Sequence, residues 1–169
     1  FYASAQFESR ECNYYGGEII LKKYVTKGYY QPYPIKNRDG DVDWNEMDRE
    51  KRETKREQTL EMVVKIKEAM GKVTVDASIT GIPHVPVSWE LSFRKGGELS
   101  GVTEDPHVTD AFFLEKGTGK YKVGGEVISF GEGHVKHKWS QMRGMLPKQE
   151  GYGVYLTGYT PFRHKITIE

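Results

Sequence analysis

The sequence predicts an all-β protein: an antiparallel β-sandwich of ten or more short strands, with one short charged helix or loop near residues 44–57. Three observations support this fold class. The 169 residues include 19 glycines and are 12% aromatic, a composition that favours strands and turns over a helical bundle. Apolar and polar residues alternate along several stretches. Glycine-rich turns separate these stretches at short spacing.

The size and charge of the chain limit the possible functions. A length of 169 residues fits one hydrophobic core, so we expect a single domain over residues 1–169. The net charge of +1 argues against a nucleic-acid partner, and the absence of a long apolar stretch argues against a membrane span. Because the chain opens on Phe1 without an initiator methionine, we expect a fragment or the C-terminal part of a longer protein.

The first third of the chain combines strand patterns with charged and aromatic segments. Strands are predicted at 1–11 and 17–26, on either side of a Gly-Gly turn. Residues 28–40 hold two prolines and read as a loop whose tyrosines are candidate ligand-binding residues, namely Tyr29, Tyr30 and Tyr33. Residues 46–57 carry ten charges, five of each sign, which favours a short solvated helix.

The clearest pattern is a hairpin over residues 60–80. Apolar residues alternate with polar ones on both sides of Met70-Gly71, which indicates two antiparallel strands with one buried face. The same alternation predicts a strand at 85–94. Shorter strands are predicted at 98–103, 110–116, 119–123, 126–130, 134–142, 152–158 and 163–168.

An acidic segment resembles a calcium-binding loop in part. Laid on the twelve-residue EF-hand pattern, it offers oxygen ligands from four residues, namely Asn37, Asp39, Asp43 and Glu46. The first ligand place is Ile35, which cannot coordinate a cation, and prolines occupy the place of the incoming helix. An Asp/Gly turn before a helix capped by Asp43 explains the same residues without a metal. We therefore expect no cofactor, with Ca²⁺ as the alternative.

Histidine, tryptophan and arginine are concentrated in residues 134–143. On a strand, His137, Trp139 and Gln141 share one face, and such a strip of imidazole, indole and amide suits a saccharide. The alternative is that Trp139 belongs to the core and the histidines are merely exposed. If the segment is catalytic, the candidates for acid-base and charge-stabilising work are His134, His137 and Arg143.

The glycine-rich turn before these histidines also invites a comparison with cupin metal sites. A cupin needs further histidines from an upstream His-x-His strand, whereas His84 and His107 stand alone in this sequence. The register of His134 and His137 also misses the ligand position. We therefore do not expect a cupin metal site.

The order of segments from residue 60 onward resembles the C-terminal β-sandwich modules of bacterial carbohydrate-active proteins, such as heparinase II/III-like polysaccharide lyases. The hairpin is followed by the segments at 81–93, 96–101 and 125–131, the histidine-rich segment, and the closing segment at 156–164. In such families the catalytic residues lie mainly in a preceding helical toroid. The resemblance therefore implies an accessory module, and it assigns no catalytic residue here.

Three hypotheses follow from these patterns. The first is an accessory β-sandwich domain that binds a polysaccharide or oligosaccharide, or buttresses a preceding catalytic domain. The second is a small lyase or hydrolase that acts on saccharides through histidine and arginine. The third is a structural or interaction domain. The carbohydrate hypotheses favour a secreted or periplasmic location, and catalysis by this chain alone stays open.

Overall fold

The computed structural model describes residues 56–140 and 150–169 together with Glu53, and the backbone of three strands within residues 2–30. Thirteen strands and no helix occur in this part of the chain. In order they are β1 (Tyr2–Ser4), β2 (Cys12–Tyr15), β3 (Glu18–Tyr30), β4 (Arg56–Ala69), β5 (Lys72–Gly81), β6 (Pro86–Phe93), β7 (Glu98–Ser100), β8 (Thr103–Glu104), β9 (Ala111–Phe113), β10 (Thr118–Val123), β11 (Glu126–Gly131), β12 (Tyr152–Tyr159) and β13 (Phe162–Ile168).

The strands form two sheets, which confirms the predicted all-β sandwich. The large sheet has the order β1-β3-β4-β5-β13-β11-β10-β7, with β2 paired to β3 beside β1, and its pairings are antiparallel. The small sheet has the order β6-β12-β9-β8. Strands β9 and β12 of the small sheet run parallel, whereas the other described strand pairs of this sheet are antiparallel.

The core between the sheets is aromatic and aliphatic. Leu114, Tyr121, Phe130 and Val154 are buried there, and half-buried residues of β6, β7, β9, β12 and β13 pack against them. The ring centroids of Phe93 in β6 and Phe130 in β11 are 4.7 Å apart. Because β6 belongs to the small sheet and β11 to the large one, this contact joins the two layers.

The small sheet is also covered on its outer face. Ala111, Phe113 and Tyr155 form a second buried cluster, with Val108 and Val135 packed against it. These last two residues belong to the connections at 105–110 and 132–140. The small sheet is therefore buried on both faces, and the connection at 132–140 brings the predicted histidine segment onto it.

The predicted hairpin is confirmed, and the geometry of its turn suits two antiparallel strands. Strands β4 and β5 pair from Leu60↔Gly81 to Ala69↔Lys72. Met70 and Gly71 both have positive φ angles, 52° and 74°, the geometry of the two-residue turns that match the twist of antiparallel strands. The predicted strand at 85–94 is confirmed as β6.

Four predicted elements differ from the structure. Residues 28–30 belong to β3 rather than to a loop, because their backbone pairs with residues 56–58 of β4. Arg56 and Glu57 begin β4 rather than end a helix, and Glu53 is irregular; the other residues of 44–57 lie outside the described part. The prediction at 98–103 merges β7 and β8, which belong to different sheets. The predicted strand at 134–142 is wrong over residues 134–140, the part of it that the structure describes, and is treated below.

Candidate functional site

The segment 132–140 is an irregular connection, not a strand, and it pairs with β12 at a single bridge. Val135 makes this isolated parallel bridge to Thr157, with backbone hydrogen bonds from Lys136 N–H to the Thr157 carbonyl and from Thr157 N–H to the His134 carbonyl. The Thr157 hydroxyl also accepts hydrogen bonds from the backbone N–H groups of Lys136 and His137 and donates one to the His137 carbonyl. No second bridge follows within 136–140, so the alternating register predicted from the sequence does not apply.

The end of the segment is held by a buried carboxylate. Asp105, which is 6% exposed, accepts hydrogen bonds from the Ser140 hydroxyl at 2.6 Å and from the His107 backbone N–H at 2.9 Å. Burial opposes the charged form, but these hydrogen bonds and the nearby His107 keep the pKa of Asp105 below its ordinary value. Asp105 therefore ties the 105–110 loop to residue 140.

His137 is a buried structural residue. Its side chain is 8% exposed, and its Nε2 lies 3.1 Å from the carbonyl oxygens of both Val87 and Gly158. Its Nδ1 accepts the backbone N–H of Trp139 at 3.3 Å. These partners assign the proton to Nε2. Both ring nitrogens are then engaged, so His137 offers no group to a substrate or metal, and its predicted catalytic role is not supported by this geometry.

An exposed tryptophan lies on this buried imidazole. The ring centroids of Trp139 and His137 are 4.8 Å apart, and the planes differ by 34°. Tyr159 of β12 meets the Trp139 ring edge-on at 6.3 Å. Trp139 remains 55% exposed and Tyr159 37% exposed. These two residues with His137 form what we call the aromatic platform, and its outer surface faces solvent.

A cleft of about 510 Å³ lies next to the platform and shares Tyr159 with it. Its walls are His134, Lys136, Tyr159, Pro161, Phe162 and Arg163. The β12–β13 corner that carries four of them is fixed by Thr160, whose hydroxyl accepts a hydrogen bond from the Val85 N–H and donates one to the Ile82 carbonyl. Gly158 is needed beneath the cleft because a Cβ there would lie 2.6 Å from the Phe162 ring.

The cleft residue His134 contacts a second histidine, His164. The ring centroids of His134 and His164 are 5.2 Å apart, and His164 Nε2 donates to the Glu132 carbonyl oxygen at 2.6 Å. Partial burial of His134, together with His164 and Lys136 nearby, lowers the pKa of His134 below its ordinary value. His134 is therefore largely neutral near pH 7, with a nitrogen available for acid-base work.

The fixed charges of the cleft are positive. Lys136 and Arg163 both line it. Arg163 is 78% exposed and lies 3.2 Å from Asp76, while Lys136 has no ion-pair partner among the carboxylates that the structure describes. Two cations beside an aromatic surface suit a ligand that carries both C–H faces and anionic groups.

The structure brings together only part of the predicted site. Of the sequence candidates, His134, His137 and Trp139 lie together. The backbone of Tyr29 and Tyr30 lies in β3, paired with Glu57 and Arg56. The remaining candidates fall outside the described residues; they are Tyr33, Gln141, Arg143 and the proposed metal ligands Asn37, Asp39, Asp43 and Glu46. Within the described part, no three His, Cys, Asp or Glu side chains are grouped as metal ligands.

Lys136, Tyr159, Phe162 and Arg163 were not among the predicted site residues. Lys136 lies between the two predicted histidines, and the other three flank Pro161. A tight corner between two strands that carries Tyr, Phe and Arg was the available signal. Only the packing of this corner against 132–140 shows that the two segments share a cleft.

Comparisons of this chain with protein-family models, curated proteins and solved structures give no match. No helix long and apolar enough to cross a bilayer occurs in the part of the chain that the structure describes.

Proposed function

We propose that this protein is an accessory β-sandwich domain of a carbohydrate-active protein and that it binds a saccharide at the aromatic platform and the adjoining cleft. The observation that carries the proposal is the exposed Trp139 ring, which lies at a tilt of 34° over a buried imidazole. Trp139 is grouped with the exposed Tyr159, and grouped exposed apolar surface marks interaction sites.

The chemistry of the platform fits a sugar. The C–H faces of a pyranose ring pack on an indole, and its hydroxyl rim needs polar groups beside the ring. Tyr159 supplies a hydroxyl next to Trp139, and Lys136 supplies an ammonium group in the same cleft. Because His137 fixes the Trp139 ring from beneath, little side-chain entropy is lost when the sugar binds.

The cations favour saccharides that carry carboxylate or sulfate groups. Lys136 and Arg163 place two positive charges in the cleft, and hydrogen bonds between charged partners are stronger than neutral ones. We therefore expect acidic polysaccharides to be preferred over uncharged ones, and the preference to weaken as salt is added.

Affinity electrophoresis of the full 169-residue chain tests the proposal. The gels contain polygalacturonate, hyaluronan or dextran sulfate, with uncharged dextran and methylcellulose for comparison. We expect retention on at least one polysaccharide and a loss of affinity of about tenfold or more in Trp139→Ala. Val127→Ala removes a similarly exposed apolar residue from β11 and serves as the matched control. Retention that survives Trp139→Ala, or no retention on any gel, contradicts the proposal.

A second candidate is a small saccharide-acting enzyme, favoured by the lowered pKa of His134 in a cationic cleft. In an elimination, His134 would take the proton from the carbon beside a uronate carboxylate, whose charge Lys136 or Arg163 would neutralise. The electron pair then forms a carbon–carbon double bond while the glycosidic C–O bond breaks, and the leaving oxygen takes its proton from the His134 imidazolium. Product absorbance near 230 nm that disappears in His134→Gln would support this candidate, and retention without product would exclude it.

A further inference from the structure

A second depression lies on the outer face of the large sheet and shares one lining residue with the cleft. This sheet groove, of about 270 Å³, is lined by Val63, Lys65, Asp76, Ser78 and Arg163. Arg163 also lines the cleft. A single exposed guanidinium group therefore borders both depressions. The line from Trp139 through Arg163 to β4 is the path that a long ligand would follow.

Strand register explains why these side chains meet. Val63, Ser78 and Arg163 lie directly opposite one another on β4, β5 and β13, and Lys65, Asp76 and Lys165 form the neighbouring row. Residues opposite each other in adjacent strands project from the same face. Each strand adds about 4.8 Å to the path, so the groove extends it by about 10 Å beyond β13.

The sheet groove shares the positive charge of the cleft. Lys65, Lys165 and Arg163 outnumber the single carboxylate of Asp76, so these two rows carry excess positive charge. Ser78 and Asp76 add hydrogen-bonding groups of the kind that sugar hydroxyls require. Because these side chains stand on three adjacent strands, they suit a chain that lies across the sheet surface.

We propose that the sheet groove is a second subsite, so that the ligand is a polymer bound along its length, with successive acidic sugar residues in the cleft, at Arg163 and beside Lys65. This inference rests on the proposed function. Once one part of a polysaccharide is bound in the cleft, a neighbouring part of the same polysaccharide binds the sheet groove in an intramolecular step. Affinity should therefore rise with chain length and level off once the chain spans both subsites.

Calorimetric titration with oligogalacturonates and hyaluronan oligosaccharides, from disaccharide to octasaccharide, tests the inference. In the wild-type chain we expect the affinity to rise about tenfold or more over this series. Lys65→Gln should lower affinity for the longest oligosaccharides by about three- to tenfold and leave disaccharide binding unchanged. Lys122→Gln removes the same charge from β10, two strands beyond β13 in the direction away from β4, and should change neither affinity. Circular dichroism confirms that each variant is folded.

The outcomes separate the two proposals. Equal affinity for all lengths, or an equal loss at every length in Lys65→Gln, overturns the second subsite and leaves saccharide binding at the platform intact. Absence of binding at every length overturns the proposed function, and with it the inference. Retention of single-stranded DNA that matches or exceeds that of the oligosaccharides, with the same dependence on Lys65, would assign the path to a different polyanion and also overturns the inference.

Discussion

His137 shows how the role of one side chain depends on its hydrogen-bond partners. In the sequence it lies between two lysines and two residues before Trp139, and this pattern predicted a functional histidine. In the structure, two carbonyl oxygens and one backbone N–H occupy both ring nitrogens. The ring therefore joins β6 to β12 and supports Trp139. His134, three residues earlier, keeps its exposure to the cleft.

We predict that His137→Ala lowers the free energy of unfolding by about 2 to 4 kcal/mol. The substitution leaves a cavity beneath Trp139 and removes the shared donor of the Val87 and Gly158 carbonyls. Urea denaturation measures the change. His107→Ala, at an exposed position, is the control and should cost less than about 0.5 kcal/mol. An unchanged stability, with loss of turnover alone, would restore a catalytic role for His137.

At the scale of elements, the hairpin and the connection at 132–140 illustrate opposite cases. The β4–β5 hairpin follows from local alternation and from a turn whose residues adopt positive φ angles. The 132–140 segment has a similar alternation of residue types, but it bridges β12 only at Thr157, beyond the residues of β12 that pair with β9. A single bridge does not make a strand, and the His137 side chain then binds the carbonyl groups of Gly158 and Val87.

We predict that Gly81→Ala disrupts the end of the hairpin. Gly81 has a φ angle of +123°, and a Cβ would lie 2.1 Å from the Thr59 carbonyl oxygen of β4. Because backbone atoms must then shift, the free energy of unfolding should fall by more than about 2 kcal/mol. Thermal unfolding measures this change. Gly125→Ala has open space and no positive φ angle, so it should lie within about 0.5 kcal/mol of the wild type. Equal stabilities of Gly81→Ala and Gly125→Ala would contradict the prediction, because the contact between the added Cβ and the Thr59 carbonyl oxygen would then cost no free energy.

At the scale of the whole molecule, the candidate site is shared among distant parts of the chain. The platform and the cleft combine the 132–140 connection with the β12–β13 corner, and the sheet groove adds β4 and β5. The groups that face His134 accordingly come from different elements: His164 and Arg163 from β13, Lys136 from the connection, and Tyr159 from β12. In the proposed function, their combined charge would set the preference for acidic saccharides.

This shared charge predicts a pH dependence of binding. The pKa of His134 is lowered. The imidazole therefore becomes charged only at a pH below about 6.5, the ordinary pKa of a histidine. Acidification then adds a cation to the cleft. Affinity for polygalacturonate should rise about twofold to fivefold more in the wild type than in His134→Gln between about pH 7.5 and about pH 5.5. Calorimetry in both variants measures this difference; identical pH profiles would show that His134 does not face the ligand.

The sequence by itself determined the all-β class, the β4–β5 hairpin and the strand at β6, because alternation and turn residues act between neighbours in the chain. It also singled out His134 and Trp139 as residues of chemical interest. Tertiary structure decided which of these residues remain accessible: Thr157 and two carbonyl groups bury His137, while the corner at Pro161 brings Tyr159 and Arg163 to Lys136. Contacts between residues 20 or more positions apart depend on sheet order and register, which local patterns do not encode.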